Sequence, residues 1–232
     1  NARLQAEELH ALGIDVDCAP VLDLSVPGAH DIIGDRSFGA DTAAIAALGR
    51  SACNGFMAGG VLPVVKHVPG RGRALQDSHK ALPVVSVARQ VLESTDFAPF
   101  RDLADMPAAM TAHVVYEAVD PDNPATTSAT AIRDVIRGAI GFDGLLISDD
   151  LSMKALQGGL GARAAAAHRA GCDVVLHCNG DMAEMQAVAA ECGRLTPDAE
   201  RRIVAARACL AGREEITADG VQRFSELMSQ LP

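Results

Sequence analysis

Short apolar runs alternate along this chain with longer stretches in which apolar positions recur every three or four residues. The runs at 15–22, 61–67, 108–115, 144–148 and 173–178 are each about one strand long and almost continuously apolar. That pattern predicts strands buried on both faces of a parallel sheet, because an antiparallel strand with one wet face would alternate. Helical periodicity fills the gaps at 42–57, 91–105, 128–140 and 161–170, and continues at 182–192, 198–211 and over the last dozen residues. One helix between successive strands implies right-handed crossovers between parallel neighbours. The chain opens without Met inside a further helical stretch, 2–12, with Leu4, Leu9 and Leu12 on one side and Gly13 as its stop. It is therefore expected to begin downstream of the natural start.

The strand ends choose between a barrel and an open sheet. Polar or ionisable groups recur there: Asp23, Lys66-His67, His113, Asp149-Asp150 and His177-Cys178-Asn179. An open sheet concentrates its chemistry near one switch point, whereas a (β/α)8 barrel draws functional groups from the ends of several strands. The prediction is α/β, a (β/α)8 TIM-type barrel represented by five strands plus terminal helices, with about the first three βα units missing from this chain. No repeat, low-complexity tract or linker divides it, so 1–232 is expected to be a single, partial catalytic barrel domain.

Composition narrows the partners. With 49% hydrophobic and 22% charged residues the chain can bury one substantial core, and a net charge of -10 argues against nucleic acid or an anionic membrane surface. No run approaches the length of a membrane span and no secretory leader is visible. Six dispersed cysteines without a CxxC pair suggest reduced core thiols and a cytoplasmic location. His177 and Cys178 have no second pair at metal-ligand spacing, so neither a metal nor another cofactor is expected.

Two segments carry candidate chemistry. Lys66-His67-Val68-Pro69-Gly70-Arg71-Gly72 leads into Asp77-Ser78-His79, placing cations, imidazoles and a carboxylate around a glycine-rich bend. An Asp and a His two apart can hydrogen-bond, so Asp77 would orient the ring and His79 would donate and recover a proton. About 70 residues on, Ser148-Asp149-Asp150-Leu151-Ser152-Met153 closes an apolar strand. Asp149, ionised at that strand end, could attack an electrophilic carbon, while Asp150 is expected to cap a following helical turn. Retaining glycoside cleavage needs these two functions, with the imidazole standing where an acid carboxyl usually stands. Lys66 leaves a second chemistry open, a Schiff-base lyase on the same barrel. His113 is either a hydrogen-bonded core histidine or a further substrate contact.

In order along the chain, Ile33-Gly34-Asp35-Arg36-Ser37-Phe38, Lys66-His67-Val68-Pro69-Gly70, Asp77-Ser78-His79 and Gly141-Phe142-Asp143-Gly144 leading into Ser148–Met153 resemble the bacterial β-N-acetylhexosaminidases of glycoside hydrolase family 3. The resemblance implies a retaining exo-β-N-acetylglucosaminidase that releases terminal N-acetylglucosamine from muropeptide fragments during peptidoglycan recycling. It implies Asp149 as nucleophile, Asp77 and His79 as the acid/base element, and Arg36, Lys66 and His67 as sugar contacts. Two departures stand out: Arg71 occupies the place of a usual second histidine, and the family's upstream Asp-Gln-Glu-Gly-Gly-like strand end has no counterpart in this chain. A non-catalytic, sugar-binding homologue is the alternative they leave. No Trp and one Tyr fit a shallow pocket for one terminal sugar better than an aromatic-lined polysaccharide cleft. A small sugar is thus the expected partner, and a monomer the expected state.

Overall fold

The computed structural model describes residues 1–212 and 220–230. The chain runs through α1 (Ala2–Ala11), β1 (Val16–Asp17), α2 (Thr42–Ala58), β2 (Leu62–Val68), β3 (Val84–Val85), α3 (Arg89–Ser94), α4 (Ala98–Asp102), β4 (Ala108–Thr111) and β5 (Val115–Tyr116). A π-helix over Ala131–Ala139, β6 (Leu145–Asp150), α5 (Leu160–Ala170), β7 (Val174–Leu176), α6 (Met182–Cys192), α7 (Pro197–Ala208) and α8 (Gly220–Met228) follow. All five expected strands pair in parallel, in the order β1-β2-β4-β6-β7, and curl into part of a (β/α)8-type barrel. The regular part of β1 is short, but the chain continues alongside β2, with a bridge from Val21 to Lys66 and Leu22 N–H donating to the Lys66 carbonyl at 2.7 Å. Peptide bonds Ala19-Pro20, Lys66-His67 and Val68-Pro69 are cis.

The helices cover the outer face. Ile45, Cys53 and Phe56 of α2 and Ile132, Val135 and Ile136 of the π-helix are buried, most of them in one core that also takes Leu22, Val65, Ala109 and Leu146 from the strands. The helix expected over 91–105 is two helices, α3 and α4. Pro99 lies in the first turn of the second, where its missing N–H costs nothing, and Asp96 in the break accepts from Arg73 Nε at 2.6 Å. The stretch expected at 128–140 is helical but hydrogen-bonded five residues apart, as in Ile140 N–H to the Val135 carbonyl at 2.8 Å. In α1 the buried residue is Ala6, and Leu12 is 78% exposed instead of facing inward. The pair β3 and β5, unforeseen because each has two residues, forms a small parallel sheet outside the barrel. The last helix is α8 as far as Met228; residues 231–232 of the expected terminal helix lie outside the described ones.

The end of the strands opposite their C-termini is held by charge. Asp173, just before β7, accepts from Arg137 at 2.8 Å, from Arg202 at 2.9 Å and from the Leu146 N–H at 2.8 Å. Arg202 and Arg201 also grip Asp143, holding its carboxyl down at about 2. Gly144 runs too close to the Met106 and Pro107 carbonyls, 2.6 and 2.8 Å from where a Cβ would sit, for any side chain. The Gly141–Gly144 segment is therefore a structural anchor beneath β6.

Candidate active site

The loop after β2 folds over a buried carboxylate. Asp23, wholly inaccessible, accepts the Nδ1–H of His67 at 2.7 Å and the backbone N–H of Arg71 at 2.6 Å. Burial alone would raise its pKa, but the His67 charge, the ring hydrogen bond and these N–H groups outweigh that and hold it below the usual carboxylate value. Tyr116 fixes the bend by donating to the Gly70 carbonyl at 2.6 Å. Gly70 has φ +132, and Gly72 passes so near the Leu24 carbonyl that a Cβ would lie 2.2 Å from it. The same Asp23 backbone anchors the upstream motif, since Ser37 Oγ donates to its carbonyl at 2.8 Å and Arg36 immediately precedes Ser37.

A second hydrogen-bonded system frames the end of β6. Asp149 is 5% exposed; its Oδ1 accepts the Asp150 N–H at 2.9 Å, while Oδ2 is buried with no hydrogen-bond partner. The Asp149 N–H points to Thr111 Oγ1 at 3.3 Å, Thr111 lies 2.8 Å from Thr126 Oγ1, Thr126 lies 2.7 Å from His113 Nδ1, and His113 Nε2 lies 3.0 Å from the Asp150 carbonyl. That carbonyl can only accept, so Nε2 carries a proton. Burial lowers the pKa of His113, and in the neutral ring Nδ1 must accept from Thr126, which then accepts from Thr111. The Ala112 carbonyl, 3.1 Å from Thr126 Oγ1, competes for that hydroxyl's one proton, and the circuit runs from the Asp149 amide to the Asp150 carbonyl. Of the two readings of His113, these bonds favour the core one, with both ring nitrogens engaged by the protein. Asp150 caps no helix: it closes β6, and its carboxylate accepts from the Ser152 N–H at 3.0 Å and the Cys178 N–H at 3.2 Å, which turns the chain.

The Asp77–His79 pair stands on the loop between β2 and β3. Asp77 Oδ1 accepts both the His79 N–H at 2.9 Å and its Nδ1–H at 2.8 Å, leaving Nε2 as the exchangeable nitrogen of a ring that is 56% exposed. Desolvation pushes the Asp77 pKa up, but the His79 hydrogen bonds and the charges of His79 and Arg71 bring it below the ordinary value. Ser78 between them is buried and accepts the Ala155 N–H at 3.0 Å, which ties this loop to the one that leaves Asp149.

Lys66 and Arg36 line one cavity of about 510 Å³ together with Cys18 and Phe38, while Asp149 and His79 lie outside it. The groups nonetheless share a field: Cys18 feels the charges of Lys66 and Asp149, and His113 those of Asp149, Arg71 and His67. Strand ends from β1 to β6 thus converge on the mouth of the partial barrel. Sequence reasoning gave no role to Asp23, Thr111 or Thr126. Asp23 was visible as a strand-end acid; the threonines carried no signal, because their partners are 13 to 38 residues away. Among the described residues no group of three or more His, Cys, Asp or Glu is arranged to hold a metal ion.

Residues 1–207 match the glycosyl hydrolase family 3 N-terminal domain. A beta-hexosaminidase of Alkalilimnicola ehrlichii is 47% identical over 180 residues, covering 76% of this chain and 51% of that protein. One from Aromatoleum aromaticum is 40% identical, over 87% of this chain and 57% of its own length. The chain spans about half the length of such curated relatives. Among solved structures, a glycoside hydrolase family 3 beta-N-acetylglucosaminidase from Paenibacillus sp. superposes with a TM-score of 0.82 at 37% identity, over 94% of this chain and 45% of that one. NagZ from Neisseria gonorrhoeae, in complex with N-trifluoroacetyl-D-glucosamine, gives 0.79 at 36% identity, over 98% of this chain and 64% of its own.

Proposed function

The chain belongs to glycosyl hydrolase family 3, and from that premise we propose that it supplies the catalytic half-site of a retaining exo-β-N-acetylglucosaminidase. The observation that carries the reading is the Asp149 carboxylate: one oxygen is pinned by its neighbour's N–H, and the other is left without a hydrogen-bond partner at the end of β6. In the first step Oδ2 attacks the anomeric carbon while His79 Nε2–H passes its proton to the departing glycosidic oxygen, giving a glycosyl-aspartate and a neutral imidazole. In the second, that imidazole takes a proton from water as the water's oxygen attacks from the face the leaving group vacated and displaces Asp149. Carboxylate and imidazolium are then restored, and the sugar leaves with its configuration retained. Asp77 keeps the ring in the tautomer that exposes Nε2. Arg36, Lys66 and His67 hold the sugar, His67 being itself fixed by Asp23.

The substrate in this reading is terminal N-acetylglucosamine on muropeptide fragments, the setting peptidoglycan recycling in the cytoplasm, and 1–232 one partial domain of a monomeric enzyme. No helix among the described residues is long and apolar enough to cross a membrane. The test is the anomer first released by the intact protein from an aryl β-N-acetylglucosaminide. Proton NMR should see β-N-acetylglucosamine before mutarotation; initial α-sugar would sink the double displacement.

A further inference from the structure

Arg71 is the one buried cation of the β2 loop without a hydrogen-bonded counter-ion. Its side chain is 2% exposed, and both Nε and Nη2 are buried with no hydrogen-bond partner. A guanidinium so placed is costly unless a carboxylate answers it. The nearest is Asp77: Nη2 stands 3.9 Å from Oδ1, the very oxygen that accepts both the N–H and the Nδ1–H of His79. Two cationic groups therefore bear on one oxygen, the ring in contact and the guanidinium one step back. The Arg71 backbone is anchored by Asp23, which accepts its N–H at 2.6 Å, and the side chain is enclosed at 2% exposure.

We propose that Arg71 is a positioning residue for the Asp77–His79 pair: it draws charge from Oδ1 and so loosens the hold of that oxygen on the imidazole proton. The ring becomes a readier donor to a leaving oxygen than Asp77 alone would allow. A cation near the imidazolium disfavours it directly as well, so both effects have one sign. Other groups bear on the pair equally in parent and variants. Asp23, His67, His113 and Tyr116 surround Arg71, Lys80 sits beside His79, and Lys154 is exposed on the loop that bonds Ser78.

The proposal rests on His79 being the proton-transfer group, but its test does not need turnover. In the intact protein, the His79 imidazole titration is followed by NMR with histidine-selective labelling, assigned by the signal lost in His79→Gln. Arg71→Gln should raise the midpoint, and only modestly, because the ring is largely solvated. The basic limb of kcat/KM should rise with it. Arg71→Lys, which keeps the charge, should leave the midpoint near the parent value and shows that the shift is electrostatic. An unchanged or lowered midpoint in a folded Arg71→Gln, or one raised equally by Arg71→Lys, overturns the proposal. If the midpoint moves as expected while His79→Ala still turns over natural disaccharides normally, the coupling stands and the catalytic reading of His79 falls.

Discussion

Two neighbouring aspartates at the end of β6 have different jobs because their oxygens meet different partners. Asp150 spends its carboxylate on the Ser152 and Cys178 N–H groups, whereas Asp149 keeps Oδ2 unengaged. Asp149→Ala in the intact protein should lower kcat by at least ~10⁴-fold without loss of folding, while Asp150→Ala should lose thermal stability first; activity assays beside thermal melts separate the two. For His79 the discriminating variable is the leaving group. A disaccharide needs a proton at the departing oxygen and a nitrophenolate hardly does, so His79→Ala should slow glycosylation of disaccharides by about 10²-fold or more and aryl glycosides far less. Equal losses in single-turnover measurements would make His79 a binding residue. At this scale the sequence was most legible where partners are close in the chain. Asp77 and His79, two apart, could be paired from spacing alone, but Asp23 meets His67 across 44 residues, which spacing cannot reveal.

Between elements, the Thr111–Thr126–His113 circuit joins β4 and the 125–127 turn to the end of β6. Thr126→Val keeps volume but removes the hydroxyl that accepts from Thr111 and donates to His113, so kcat should fall about tenfold with KM little changed, and Thr126→Ser should recover it. A pH effect follows from the buried ring. The pKa of His113 is lower folded than its ordinary 6.5, so between those two values the unfolded chain binds the extra proton and stability rises with pH. The contribution is complete above ~6.5 and shrinks as pH falls toward the folded value, and His113→Gln should flatten the slope of unfolding free energy in that window. Asp23, also depressed when folded, adds an acid-side loss at lower pH, below the ordinary carboxylate value. The helices and strands were readable from their periods, but the break at Pro99 and the π-helix were not. A wide helix buries Ile132, Val135 and Ile136 as an α-helix would, so its apolar pattern is the same.

Over the whole molecule, five parallel strands and their order in the chain were legible because parallel strands are apolar on both faces and each crossover helix has its own period. What hydropathy could not show is the polar end that locks the sheet. Arg137, Arg202 and Asp173 come from three elements and meet at 2.8–2.9 Å. Asp173→Ala should leave both arginines without their shared acceptor and cost about 3 kcal/mol, read as a lower denaturation midpoint with unchanged slope. The opposite end, where Asp23 meets His67 and where the Asp77–His79 loop is tied through Ser78 to the loop that leaves Asp149, is free to be polar because this lower lock and the core carry the stability. Double displacement at Asp149 requires that a slow-to-hydrolyse substrate leave its sugar on that carboxylate. Treating the intact protein with a fluorinated N-acetylglucosaminyl donor and mapping the adduct by peptide mass spectrometry tests this directly. One sugar per chain on Asp149 is the expected result; a label on Asp150 or elsewhere, or inactivation-free turnover with no adduct, would contradict it.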